Sequence, residues 1–430
     1  MFRLFFLFLT TLVLISCQPQ KTTASKKMGT AKEFLDHANK TLKEQTHASS
    51  VASWVHANFI TADTTMMSSE YNARFTEMMT QIALDSKKYQ GKTDDEKRML
   101  DLLVRVLTVP APNNPEKNKE LAQLRSELES LYGSGKYCPK EGECRTLGEL
   151  SKTIAKSRNH KELLEAWEGW RTVSPAMKDK FQKSVEIGNE GARELGFKNM
   201  ADLWRSNYDM KPEAFEKELD RLWTEMKPFY DQLHCFVRGK LNKKYGDDVV
   251  PLDKEIPAHL FGNMWAQAWD NIVDVVGIGE NKSMDITQLI TKAKYDPTKM
   301  VKTAENFFVS LGMPKLPESF YERSLFKKPK DREVVCHASA WHIDMEDDVR
   351  IKMCIDIDEE SFRTIHHELG HIYYYEAYKS LPPIYQSSAN DGFHEAMGDT
   401  IELSITAKYL KKIGLLKDSG TSNGAVHETL

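Results

Sequence analysis

The sequence predicts a mainly α-helical fold with one small antiparallel β element. Phe215, Leu219, Leu222, Met226, Phe229, Tyr230, Leu233 and Val237 recur at steps of three and four, the period of an amphipathic helix. Leu121, Leu124, Leu128 and Leu131 form a second such stripe, and Pro115 ahead of it suits a first helical position. Both stripes are expected to face the core, and Pro228 is expected to kink or divide the first helix. The β signal is confined to Glu333–Ala340 and Arg350–Ile357, joined by the acidic turn Asp344–Asp348. Together these predict a hairpin set into a helical chain. The Tyr373–Tyr375 run reads mainly as packing.

Arg3 precedes a continuous apolar run from Leu4 to Ile15, too short to span a bilayer and suited to a signal-peptide core. The run ends in Leu14-Ile15-Ser16-Cys17. Residues 1–16 are expected to be a signal peptide, and residues 17–29, rich in Ser, Thr and Lys, a tether. An ordinary signal peptide cut near Cys17 is the alternative, and both readings export the chain. The 430 residues carry 59 Lys and Arg against 63 Asp and Glu, a net charge of −4, which gives no nucleic-acid footprint. A chain of this length can bury a large core. Six cysteines suit an exported protein. Cys235, among Leu233, Phe236 and Val237, reads as a buried apolar thiol.

The chemistry concentrates at His367-Glu368-Leu369-Gly370-His371. Helical spacing puts the two imidazoles on one face, one turn apart, where they can grip a single Zn2+. Glu368 between them is placed to take a proton from a zinc-bound water. An accidental match on an exposed helix is the bland alternative for the pentapeptide alone. A catalytic zinc needs a third protein ligand. Tyr374 and Ala377 stand where the metzincin class needs Gly and His, which excludes that class. Glu395, twenty-four residues past His371, lies far enough on for a second helix to return. Asp399 is one turn beyond Glu395, where it could fix the tautomer of a ligating His from the second coordination shell. His394 is the rival third ligand.

The segments His366–Ile372 and Gly392–Asp399 together resemble the angiotensin-converting enzyme family of peptidyl-dipeptidases. Further blocks agree with it: Val334–Trp341, Ile256–Gln267, Trp167–Arg171 and Trp204–Ser206. The likeness runs from about residue 30 to the end. It implies a large helical zincin-type peptidase with a deep central cleft, which removes dipeptides from free C-termini. It implies disulfides Cys138–Cys144 and Cys336–Cys354; the larger loop should contribute on the order of 3 kcal/mol in the chain-entropy account. Four free thiols are the alternative. It implies substrate contacts from the His337 imidazole, the Ala338 backbone and Gln267, the last toward the terminal carboxylate. Purely structural roles for His337 and Gln267 stay open, Gln267 as a helix-face amide. Arg171 and Tyr208 match positions around bound chloride. Leu14–Cys17 resembles the bacterial lipoprotein box, with Cys17 lipidated and the protein held at a membrane of the cell envelope.

A domain of this family continues beyond the position matched by Leu430. Residues 30–430 are therefore expected to be an incomplete catalytic domain, lacking the groups that the family uses for the substrate carboxylate and the oxyanion. The leading expectation is a zinc peptidyl-dipeptidase acting on oligopeptides. A zinc carboxypeptidase releasing one residue and a peptide-binding lipoprotein with weak or no turnover are the alternatives.

Overall fold

Residues 29–277, 285–390 and 392–417 are described by a computed structural model. The apolar leader and Cys17 lie outside the described residues. Helix α1 (Ala31–Asn58) opens on Thr30, whose hydroxyl accepts from the Glu33 amide while the Glu33 carboxylate accepts from the Thr30 amide. The same reciprocal cap starts α2 (Ala62–Ser86) at Thr61 and α3 (Asp94–Arg105) at Thr93. Asn114 caps α4 (Pro115–Gly133), with Pro115 in the first turn as expected. Strands β1 (Lys136–Tyr137) and β2 (Arg145–Thr146) pair antiparallel around the Cys138–Cys144 disulfide. Then follow α5 (Leu147–Lys156), α6 (His160–Arg171), α7 (Pro175–Glu194), α8 (Met200–Arg205) and α9 (Pro212–Tyr245). Four more helices, α10 (Val273–Val276), α11 (Ile286–Lys292), α12 (Pro297–Ser310) and α13 (Glu318–Arg323), lead to the hairpin β3 (Ser339–His342) and β4 (Val349–Lys352). The described chain closes on α14 (Glu359–Tyr378), α15 (Phe393–Leu403) and α16 (Ala407–Lys412).

Among the described residues, four apolar clusters hold these elements, the smallest joining Leu121 of α4 to Ile187 of α7. One surrounds α14, where Phe362, Ile365, Leu369 and Ile372 pack against Ile351 of β4, Phe308 of α12 and Phe320 of α13. A second joins α5, α6 and the end of α9 to the irregular stretch from Ile256 to Ile272. A third joins α1, α2 and α3 through Phe34, Leu35, Met79, Ile82 and Leu103. A fully buried Leu or Phe side chain contributes roughly 1.5–3 kcal/mol by its transfer from water. No helix among the described residues is long and apolar enough to cross a membrane.

The hairpin is shorter than the sequence predicts. Ala340 faces Ile351, and pairing ends at Ser339 and Lys352. Residues before β3 bond elsewhere: the Val335 amide donates to the Ala57 carbonyl, and the Ile60 amide to the Glu333 carbonyl. Beyond β4, the Met353 and Ile355 amides donate to the Leu325 and Phe326 carbonyls. The Cys336–Cys354 disulfide ties the two sides just outside the paired residues.

Two further expectations fail, and of the two outcomes expected at Pro228 the division of the helix is not seen. Pro228 does not divide α9, which runs unbroken for 34 residues. Proline removes one amide from the ladder, and on this exposed stretch water can take the freed carbonyl. The α9 stripe is not core: Leu219, Leu222, Met226, Phe229 and Tyr230 are all exposed, Phe229 by 65%, and only Val237 and Leu241 are buried. Cys235, on the same helix, is an exposed free thiol. Periodicity shows that a helix has an apolar face, but a neighbour is needed to cover it.

His259, in a short 3-10 turn, is buried with no partner for its Nε2. Burial, with His160 adding to it, pushes its pKa down to about 4. The neutral ring in the fold thus contributes stability that is full above the ordinary histidine value of about 6.5 and is lost as pH falls through that value toward 4. Thermal melts across this window should show a falling Tm, and His259→Gln should flatten the decline. An unchanged slope in the variant would mean that other groups set the acid sensitivity.

Candidate active site

Asp358 caps α14 by accepting from the Ser361 amide. The apolar side of the helix, Phe362, Ile365, Leu369 and Ile372, is wholly buried. That orientation turns His367 and His371 toward α15, whose first turn carries Glu395. His367 Nε2 lies 3.3 Å from Glu395 Oε2, His371 Nε2 lies 3.8 Å from Glu395 Oε1, and the two Nε2 atoms are 3.1 Å apart. One donor atom from each residue falls within 4.8 Å of the others. Two imidazoles and one carboxylate form the donor set that suits a catalytic zinc with an open position. Repulsion between facing lone pairs would disfavour this arrangement without a cation or a proton between them. A second grouping, His367 with Asp399 and Glu402, shares His367.

The two helices meet at glycines. A Cβ on Gly370 would lie 3.0 Å from the Gly398 Cα, and a Cβ on Gly398 would lie 2.7 Å from the His367 ring. Any side chain at either place would push α15, and Glu395 with it, away from the histidines.

Outer partners orient both rings. His367 Nδ1 lies 3.1 Å from Asp399 Oδ1, so its proton sits on Nδ1 and Nε2 stays free to ligate. His371 Nδ1 lies 3.3 Å from His394 Nδ1, and His394 Nε2 lies 3.0 Å from the Tyr378 hydroxyl. If His371 ligates through Nε2, its Nδ1–H donates to His394, whose Nε2–H donates to Tyr378. His394 thus stands behind His371, outside the donor cluster. Burial holds the His371 pKa below its usual value, and burial with His371 pushes that of His394 down to about 4, so both rings are neutral.

Glu368 points into the protein. It is 6% exposed, and its Oε2 is buried with no hydrogen-bond partner. Burial, then the nearby Glu395 carboxylate, pushes its pKa up to about 8, while Lys352 opposes the rise. Lys352 is itself 2% exposed and donates to the carbonyls of Val335 and His337, at 2.5 and 2.6 Å. Burial pushes its pKa down to about 8, against the pull of Glu129 and Glu368. Lys352 therefore pins the strand that leads to Ala338 and places a positive charge near Glu368.

The other expected residues are spread around this centre. His337 is exposed, with Nδ1 placed to donate to the Ala338 carbonyl at 2.9 Å, and Ala338 immediately precedes β3. The Tyr375 hydroxyl of α14 donates to the Ala340 carbonyl at 3.4 Å, which holds the strand beside the candidate metal helix. Gln267 is exposed in an irregular stretch, so the helix-face alternative does not hold. Arg171 donates to the Trp167 and Met264 carbonyls and lies 3.4 Å over the Trp167 ring. Tyr208 stacks on Phe215 and lies close to Gly392, with no contact to Arg171 among the described residues. Sequence reading missed Lys352, the His394–Tyr378 relay and the paired glycines. Only Gly370, inside the motif itself, could have drawn notice there, as a glycine in a helix interior that otherwise costs stability.

Gly398→Ala should reduce zinc affinity about 10–100-fold, the usual scale for disturbing the support of a metal ligand. His371→Ala should abolish binding near one zinc per chain, whereas Glu368→Gln should retain it. Metal content after dialysis against a zinc buffer measures all three. Equal zinc in wild type and His371→Ala would remove His371 from the donor set.

The angiotensin-converting enzyme family model matches residues 25–429. An angiotensin-converting enzyme of Haematobia irritans exigua is 35% identical over 413 residues, 94% of this chain and 67% of its own length. One of Theromyzon tessulatum is 43% identical over 306 residues, 69% of this chain and 49% of its own. One of Bos taurus is 37% identical over 394 residues, 89% of this chain and 30% of its own. The chain therefore spans between about a third and two thirds of the length of these relatives. With a helical scaffold, a His-Glu-x-x-His helix and a returning glutamate in place, the chain belongs to the angiotensin-converting enzyme family.

Proposed function

We propose that this chain is a zinc-dependent peptidase that removes C-terminal dipeptides from oligopeptides. The observation that carries the reading is the joint placement of His367, His371 and Glu395 around one point, with the buried carboxylate of Glu368 between the two histidines. These three residues would hold the zinc, and Glu368 would be the general base. Bound zinc supplies Lewis-acid polarisation of the scissile carbonyl and lowers the pKa of water.

The chain's own groups do the rest. Glu368 takes a proton from the attacking water and hands it to the leaving amine. Burial and the neighbouring Glu395 carboxylate raise its affinity for a proton, which favours the first transfer. Asp399 and His394 hold the two imidazoles in the tautomers that ligation requires. The Ala338 backbone and His337 receive the extended peptide beside β3, as a strand edge does. Gln267 binds the terminal carboxylate and so sets the distance from the C-terminus to the cut. Chloride is no part of this proposal, since Arg171 already donates to two carbonyls and lies over an indole. The chain is exported through residues 1–16 and held at a membrane by lipid on Cys17.

Zinc-loaded chain should be incubated with a peptide blocked at its N-terminus and the products weighed. Loss of two C-terminal residues, abolished in Glu368→Gln, supports the proposal. Loss of a single residue would make the chain a carboxypeptidase, and no loss despite tight peptide binding would make it a binding protein. For the anchor, palmitate should label the wild type and not Cys17→Ser; label that persists in the variant rules out attachment at Cys17.

A further inference from the structure

A cavity of about 400 Å3 lies among α1, α2, α4 and β3. Ser53, Asn72, Thr76, Arg125, Glu129 and Trp341 line it. Most of these groups are already engaged. Asn72 accepts from Ser49 at 2.6 Å and donates to Ser53 and Ser68, both at 3.1 Å. The Trp341 indole N–H donates to Ser339, and the ring meets Trp54 edge-on at 5.5 Å. The Glu129 carboxylate lies 4.0 Å from His56 Nε2 and is drawn toward Lys352.

Arg125 is different. Its guanidinium has five donors, yet it makes no ion pair and no hydrogen bond among the described residues. It is open to solvent, while its surroundings desolvate it enough to hold its pKa below the usual arginine value. Glu129, one turn along, acts on Arg125 through its charge and is shared with Lys352 and His56, but it makes no hydrogen bond to the guanidinium, whose donors stay open among the described residues. Such a cation in a partly dry wall gains most from a carboxylate, which it can bind through two parallel hydrogen bonds.

The cavity also has a defined relation to the peptide path. β4 occupies one edge of β3, and Leu325 takes the far edge of β4, so the remaining edge of β3 has no strand partner among the described residues. Successive side chains of β3 face opposite ways. His342 stacks on Tyr375 of α14 at 5.2 Å, whereas Trp341 faces Trp54 and the cavity. An extended peptide on the open edge would send alternate side chains to the Trp341 face, toward Arg125. Gln267, the proposed contact to the terminal carboxylate, is not part of the cavity wall.

We infer that this cavity is a side-chain subsite for a substrate residue upstream of the scissile bond, and that Arg125 makes it selective for Asp or Glu. The inference rests on the peptidase reading and names its substrate class: oligopeptides with an acidic residue before the C-terminal dipeptide.

The test is calorimetric binding to the zinc-loaded full chain, carrying Glu368→Gln so that no peptide is consumed. The probes are N-acetylated hexapeptides that differ only by Glu, Gln or Lys at each of the three positions before the final dipeptide. At one of these positions Glu should bind about tenfold more tightly than Gln, the scale of one charge-assisted contact. Arg125→Gln should remove that preference while the Gln peptide still binds, which also shows that the variant is folded. Arg125→Glu should turn the preference toward Lys. Equal affinity for Glu and Gln peptides in the wild type, or a Glu preference that survives Arg125→Gln, would overturn the subsite with the peptidase reading intact. Failure of every peptide to bind would overturn both.

Discussion

Gly370 on α14 and Gly398 on α15 bring two helix backbones so near that neither position has room for a methyl group. That approach sets the reach of a short carboxylate to two imidazoles on the neighbouring helix. Helices that cross with ordinary side chains between them are about 8–10 Å apart. At such a distance Glu395 would not meet His367 and His371 together. The buried side of α14 matters for the same reason. Its packing against β4, α12 and α13 fixes the rotation of the helix, and the rotation decides where the two histidines point.

The electrostatics around this crossing follow from what burial leaves unpaired. Glu368 keeps a buried oxygen without a partner, beside the carboxylate of Glu395 and within reach of Lys352. Lys352 in turn feels Glu129, so acids and a base alternate from the candidate metal helix to the wall of the α1–α2–α4 cavity. An isolated charge in such surroundings would be costly, and the alternation moderates that cost. Lys352 has a second part, since its bonds to the Val335 and His337 carbonyls hold the approach to β3 in place. One buried lysine thus serves both the strand and the electrostatic setting of Glu368.

The long helix α9 shows how an apolar pattern and its burial can part company. Its apolar positions recur at helical steps, and the helix forms, yet most of that face meets water. The hairpin shows the reverse. Its flanking residues are strand-like in sequence, but their amides bond to Ala57, Leu325 and Phe326 instead of to one another. In both places local preference was legible, and the partner was not.

The sequence by itself determined the helical class, the helix start at Pro115 and the residue types of the His-Glu-x-x-His helix, while both disulfide pairs were implied by the family resemblance. The first three follow from short-range rules: spacing along a helix, the backbone preference of proline, and residue types suited to a metal. His367, Glu368 and His371 are legible because they share one helix turn. The tertiary structure decided that Glu395 and not His394 meets them, that Lys352 is buried beside Glu368, and that Arg125 is left without a hydrogen-bond acceptor among the described residues. Each depends on groups far apart in the chain approaching within a few ångströms. Such approach is set by the packing of whole faces, to which a single position in the sequence contributes only a part.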